Sequence, residues 1–139
     1  MAFLIDTCVL SEPQKRRPSD KVVDWLRSME ESALYLSVLS LGEIHKGIAK
    51  LKDGSKRERL QAWVEVELAG RFRGRILTID ERTASLWGRI CGEVERRGEK
   101  LPVIDSLIGA TALVHGLTVA SRNAPDIGRT GAKVFNPWS

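Results

Sequence analysis

The feature that most constrains the fold is the alternation of short apolar runs with longer segments of helical periodicity. The apolar runs predict strands at 3–5, 33–38, 75–79, 117–120 and 133–136. Between them, the spacing of apolar residues predicts helices at 21–31, 40–51, 57–68, 81–97 and 106–114. Strands separated by helices favour β-α-β units with helices on both faces of the sheet. We therefore predict a three-layer α/β/α domain over residues 1–139, with a central, mostly parallel sheet of about four to five strands.

Composition restricts the class of protein further. The net charge of +4 permits a polyanionic partner but does not require one. Only Cys8 and Cys91 are present, far apart in sequence, which favours reduced thiols over a disulfide framework. No apolar run approaches the roughly 18 residues of a membrane span, and the N-terminal run lacks the basic flank of a secretion signal. We expect a cytoplasmic protein without membrane association.

Three acidic residues stand where chains of this class place ligands. Asp6 directly follows the first predicted strand, Glu43 lies in the helix after the second, and Asp105 precedes the most apolar helix. Each also has a purely structural explanation. Asp6 could be a turn residue, Glu43 could be the partner of Ser40 in a capping box, and Asp105 could be a helix N-cap. Ligands of open α/β sheets bind beyond the carboxyl ends of the strands, so we expect the three carboxylates to share one cleft.

Clustered carboxylates repel one another, and a hard divalent cation relieves that repulsion. Mg²⁺ also binds phosphate oxygens and activates water, so the cluster predicts phosphodiester hydrolysis. Zinc suits the sequence less well, because its usual His and Cys ligands show no appropriate spacing here. A nucleophile-elbow serine motif and a phosphate-binding P-loop motif are both missing.

Four segments, in this order along the chain, resemble a known family. They are residues 5–12, 37–48, 105–119, and 121–126 together with 135–138. These segments are similar to the motifs of VapC-type toxins, the PIN-domain ribonucleases of bacterial toxin–antitoxin pairs, in their FitB-like branch. The resemblance spans nearly the whole chain, and it implies a PIN fold and a metal-dependent endoribonuclease that uses Mg²⁺, with Mn²⁺ as a substitute.

The resemblance also assigns roles to individual residues. It implies that the core metal-binding and catalytic acids are Asp6, Glu43 and Asp105. Thr7 matches a hydroxyl residue that supports the first acid. Some family members carry a fourth acid where this chain has Asn123, and others carry it at the position of Asp126. Asn123 can bind a metal-bound water but brings no charge, so either residue is a candidate for completing the site.

Partners follow from the same resemblance. It implies an RNA substrate, a homodimer, and inhibition by a cognate VapB-like antitoxin in a heterotetramer or larger assembly that contacts operator DNA only through the antitoxin. Arg16 and Arg17 border the segment after Asp6 and are candidate RNA contacts, although solvated surface charge is the favoured explanation of any single basic cluster. Three alternatives remain open. They are a DNA-directed nuclease, a non-catalytic nucleic-acid-binding module whose acids are only caps, and a protein that acts chiefly within a partner complex at an operator.

Overall fold

The computed structural model describes all 139 residues and contains one five-stranded sheet. Its strands are β1 (Phe3–Ile5), β2 (Leu34–Ser37), β3 (Ile76–Leu77), β4 (Thr118–Ala120) and β5 (Val134–Phe135). The strand order is β3-β2-β1-β4-β5, and every neighbouring pair is parallel. The predicted α/β/α architecture is confirmed, with a sheet that is wholly rather than mostly parallel.

Helices form both outer layers of the fold. They are α1 (Thr7–Ser11), α2 (Asp20–Ser28), α3 (Val38–Ala49), α4 (Ser55–Ala62), α5 (Ala69–Arg71), α6 (Glu81–Arg96), α7 (Val103–His115) and α8 (Ala124–Gly128). A π-helical segment, Trp63–Leu68, joins α4 to α5, and 3₁₀ turns cover Glu12–Gln14 and Glu31–Ala33. No helix combines the length and apolar character needed to cross a membrane.

The alternation of side chains along β1 divides the apolar interior into two cores. Phe3 and Ile5 face one core, which is completed by residues from α1, α2, α3 and the π-helical segment. Leu4 faces the other core with residues of β4, α7 and α8. Because β1 pairs with both β2 and β4, the early and late parts of the chain share a single sheet, and the residue that follows β1 lies at its centre.

Two short helices were not predicted from the sequence. Helix α1 begins directly after β1, because the carboxylate of Asp6 accepts a hydrogen bond from the backbone N–H of Thr7 and caps the first turn. Helix α8 begins after Asn123 with Pro125 in its first turn, a position where a missing N–H costs nothing. Both helices are only one turn or so long, too short to show an apolar periodicity.

Candidate active site

Asp6 lies at the carboxyl end of the central strand and is only 7% exposed. Its Oδ1 accepts from the backbone N–H of Thr7 at 2.9 Å, and its Oδ2 accepts from the hydroxyl of Ser121 at 2.7 Å. Ser121 directly follows β4, the strand beside β1. Two adjacent strand ends therefore fix this carboxylate in one orientation, with neutral donors and no cation among its hydrogen-bond partners.

Glu43 reaches the same place from α3. The hydroxyl of Thr7 donates to Oε1 of Glu43 at 2.8 Å, so the residue that follows Asp6 is hydrogen-bonded to the second acid. The capping-box alternative is wrong, because α3 begins at Val38 and its N-cap is Ser37, whose hydroxyl accepts from the N–H of Leu39. Ser40 lies inside the helix and is buried, so the Glu43 carboxylate is free of any capping role.

Asp105 is the third residue of α7, so the N-cap alternative is also wrong, and Pro102 occupies the cap position. The side-chain amide of Asn123 donates to Oδ2 of Asp105 at 2.6 Å. Burial, followed by the charges of Asp6, Asp126 and Glu43, raises the pKa of Asp105 to about 6. The predicted acids therefore lie within electrostatic reach of one another, in surroundings that penalise negative charge.

These side chains line a cleft of about 470 Å³ at the carboxyl edge of the sheet. Its walls include Asp6, Thr7, Glu43, Asp105 and Asn123, together with Cys8, Ser11, Lys15, Arg122 and Trp138. The guanidinium of Arg122 stacks over the Trp138 ring, 3.9 Å from its centroid, and places a positive charge at the edge of the cleft. The ammonium of Lys15, by contrast, pairs with the buried carboxylate of Glu12 at 2.9 Å.

Sequence reasoning did not single out Ser121, Arg122 or Trp138 as site residues. A signal was available for Ser121 and Arg122, because they follow β4 just as Asp6 follows β1, and neighbouring parallel strands end at the same edge. For Trp138 the only signal was its place in the closing segment that resembles the family, since it reaches the cleft through the path of the chain after β5.

The three remaining predicted site residues lie outside the wall of the acidic cleft. Asp126 lies in α8, and its charge raises the pKa of Asp105, although its side chain is not part of the cleft wall. Arg16 lines a neighbouring groove rather than the acidic cleft. Arg17 is exposed and lines neither.

The donor set suits a hard divalent cation, because carboxylate, amide and hydroxyl oxygens are the ligands that Mg²⁺ and Mn²⁺ prefer. No three His, Cys, Asp or Glu side chains converge tightly enough to coordinate one ion in this conformation. The acids instead accept hydrogen bonds from Thr7, Ser121 and Asn123. Burial and the neighbouring carboxylates raise the pKa of Asp105, and a bound cation would offset that repulsion.

Comparison with known proteins agrees with this arrangement. Residues 3–131 match the family model of the PIN domain. The chain is 37% identical over 136 residues to Toxin FitB of Neisseria gonorrhoeae, covering 98% of each chain. It is 30% identical over 136 residues to VapC ribonuclease Y4jK of Sinorhizobium fredii, covering 98% of this chain and 97% of that one.

The fold is also similar to that of a solved toxin structure. A chain in the structure of FitAB bound to an IR36 DNA fragment superposes with a TM-score of 0.93 at 36% identity, covering 99% of this chain and 96% of that one. Family model, sequence relatives and solved structure thus agree along nearly the full length of the chain. The chain belongs to the PIN-domain family, in the VapC-type, FitB-like branch that its motifs indicated.

Proposed function

We propose that this protein is the toxin of a toxin–antitoxin pair and that it hydrolyses RNA phosphodiester bonds as a Mg²⁺- or Mn²⁺-dependent endoribonuclease. The observation that carries the proposal is the cluster of Asp6, Glu43 and Asp105 at the carboxyl edge of the sheet, with burial and mutual repulsion raising the pKa of Asp105. The names of the relatives, a toxin and a ribonuclease, support it.

In this proposal the three acids would hold the metal, and each has a residue that orients it. Ser121 and the Thr7 backbone fix Asp6, and the Thr7 hydroxyl fixes Glu43. Asn123 fixes Asp105 and, unlike an aspartate, adds no charge. When bound, the metal supplies a water of lowered pKa and neutralises charge on the phosphate. Arg122, held over Trp138, provides a cation for a phosphate at the edge of the cleft.

We further propose that a cognate antitoxin inhibits the protein and that the protein acts as a homodimer within that complex. The solved structure of FitAB bound to an IR36 DNA fragment supports a partner complex, and the homodimer is what the family resemblance implies. Contact with operator DNA is then expected through the antitoxin alone. An RNA substrate implies action in the bacterial cytoplasm.

The decisive test is to incubate purified protein with total cellular RNA, and separately with DNA of matched sequence, in Mg²⁺ or in EDTA. New RNA ends that form only with Mg²⁺, mapped by sequencing, are the expected result. Cleavage of DNA alone would identify a DNA-directed nuclease instead. Binding without cleavage of either polymer would favour the non-catalytic module.

A further inference from the structure

Glu12 is a buried ionisable residue that the proposed mechanism does not use. It directly follows α1, begins the 3₁₀ turn Glu12–Gln14, and is only 3% exposed. Its Oε2 accepts a hydrogen bond from the backbone N–H of Ser19 at 2.8 Å, and its Oε1 lies 2.9 Å from Nζ of Lys15. One carboxylate therefore holds both the lysine that follows the turn and the residue that precedes α2.

Burying a carboxylate is unfavourable unless hydrogen bonds and a counter-ion compensate it. The N–H of Ser19 and then the ammonium of Lys15 lower the pKa of Glu12 despite its burial, and the charge of Arg122 makes a smaller contribution. A neutral amide could accept the Ser19 N–H as well as a carboxylate does. The negative charge of Glu12 is therefore directed at the two cations rather than at the backbone.

Both of these cations line the acidic cleft. Lys15 lies in the same wall as Thr7 and Glu43, and its side chain is 56% exposed although its ammonium pairs with Glu12. An ammonium has three N–H donors, so Lys15 can keep its contact with Glu12 and still donate to an anion in the cleft. The pairing with Glu12 thus fixes a cation beside the acids without using up its donors.

We propose that Glu12 is a positioning residue that holds Lys15 at the wall of the acidic cleft, where the Lys15 ammonium binds a phosphate of the RNA substrate. This inference deepens the proposed function and rests on it for the identity of the substrate. A lysine side chain has high rotamer entropy, so holding it in place before the substrate arrives lowers the entropic cost of binding. A phosphate contact away from the reacting bond acts equally on substrate and transition state, and it should therefore lower KM without changing kcat.

RNA binding is measured in EDTA at low ionic strength, by the fluorescence anisotropy of a labelled RNA oligonucleotide of mixed sequence, so that it does not depend on cleavage. Lys15→Gln should weaken binding about tenfold, the usual effect of losing one hydrogen bond between charged groups, and should reduce the salt slope by about 0.7. Arg89→Gln removes the same charge from an exposed site in α6 outside the cleft, and it should have a much smaller effect because salt screens distant charges.

Glu12→Gln is the most discriminating variant, because two explanations predict opposite signs. Removing a negative charge should by itself strengthen the binding of a polyanion, as we expect for Glu95→Gln at an exposed site of α6. If Glu12 positions Lys15, Glu12→Gln should instead weaken binding about threefold or more, the cost of immobilising one long side chain on binding. Stronger binding by Glu12→Gln would show that Glu12 shields Lys15 from RNA, and it would overturn the inference.

A double variant separates positioning from a general effect on the segment between α1 and α2. If Glu12 acts through Lys15, Glu12→Gln should cause no further weakening in the Lys15→Gln protein. Equal weakening with and without Lys15 would assign Glu12 a purely structural role and contradict the inference. Circular dichroism checks that each variant is folded, and Glu12→Asp, which keeps the charge but withdraws it from Lys15, takes the place of Glu12→Gln if that variant does not fold.

Steady-state cleavage of the same oligonucleotide in Mg²⁺ distinguishes this inference from the proposed function. Lys15→Gln and Glu12→Gln should both raise KM and leave kcat nearly unchanged. If the variants alter binding in EDTA as predicted but no protein cleaves RNA, the ribonuclease proposal fails while the assignment of Glu12 and Lys15 stands. If wild type cleaves RNA and neither variant changes binding or KM, the inference alone is wrong. Unchanged RNA binding by Lys15→Gln, together with weaker inhibition by a protein partner, would assign Lys15 to that partner and would also overturn the inference.

Discussion

At the scale of single residues, neutral donors rather than cations orient the acids. A hydroxyl holds Asp6, another hydroxyl holds Glu43, and an amide holds Asp105. A salt bridge to any of these carboxylates would occupy the charge that a metal needs. Neutral hydrogen bonds fix the geometry and leave that charge available, as supporting partners of metal ligands do.

Thr7 is the residue whose side chain orients Glu43, so Thr7→Val should lower the cleavage rate about tenfold through loss of one hydrogen bond to a charged group. The Mg²⁺ concentration for half-maximal rate should rise, because Glu43 is then free to turn away. Thr7→Ser keeps the hydroxyl and should restore both values. A Thr7→Val protein with unchanged metal dependence would show that the hydroxyl plays no positioning role.

The raised pKa of Asp105 predicts that the stability of the metal-free protein depends on pH. The pKa of Asp105 rises from its ordinary value of 3.8 to about 6 in the folded state, so the folded state binds the proton more tightly than the unfolded state. The free energy of unfolding should therefore decrease as the pH rises from about 4 to about 6 and stay lowered above that range. Asp105→Asn should remove this loss of stability. Urea denaturation in EDTA should show that the free energy of unfolding of the variant, relative to wild type, increases by roughly 1 kcal/mol between pH 4 and pH 7.5, a value reduced for solvent screening.

Saturating Mg²⁺ provides the control for that prediction. It should stabilise wild type at pH 7.5 more than Asp105→Asn, because the ion compensates the charge that the variant lacks. If the free energies of unfolding of wild type and Asp105→Asn differ by the same amount at pH 4 and at pH 7.5, the effect comes from packing rather than from charge.

At the scale of elements, helix α7, which carries Asp105, packs closely against the segment after α8. A Cβ on Gly109 would lie 2.8 Å from Cγ2 of Thr130, and both residues are buried. Gly109→Ala should therefore lower the free energy of unfolding by about 1–3 kcal/mol through overpacking. Gly92→Ala in α6 has no neighbour within 4 Å and should instead stabilise by up to about 1 kcal/mol through helix propensity. Thermal melts of both variants check this prediction. Equal changes in melting temperature would contradict the close approach of Gly109 and Thr130.

The elements also show what could be inferred from the sequence. The strands and the long helices were predicted because their apolar patterns are strong. The strand-end rule brought Asp6 and Asn123 to one edge of the sheet. Local capping rules failed at Ser40 because Ser37, the last residue of β2, already caps α3. The position of Trp138 in the cleft wall could not be derived from local patterns, since it depends on how distant segments pack together.

At the scale of the whole molecule, an acidic cleft is set into a chain of net charge +4. The cleft attracts cations, while the positive net charge of the chain favours a polyanionic ligand. A guanidinium could pair with two carboxylate oxygens in this cleft. We therefore expect an arginine or lysine of the antitoxin to reach Asp6, Glu43 or Asp105 and to compete with the metal.

Titration of the antitoxin at low and high Mn²⁺ tests that expectation. High Mn²⁺ should weaken the inhibition of wild type, since metal and antitoxin cation would occupy the same acids. Inhibition that is insensitive to Mn²⁺ would place the antitoxin on a surface remote from the cleft, and the acids would then have a catalytic role alone.

The variant Asp6→Asn tests most directly whether Asp6, Glu43 and Asp105 hold a metal that promotes RNA cleavage. Asparagine keeps the size of the side chain and an acceptor for the Thr7 N–H, but it removes the charge at the centre of the sheet edge. The cleavage rate in Mg²⁺ is compared between wild type and Asp6→Asn, with circular dichroism and thermal melts confirming that the variant is folded. We predict a loss of about 10²-fold or more, because a bound metal contributes several kcal/mol to the transition state. Full activity of a folded Asp6→Asn protein would contradict the assignment.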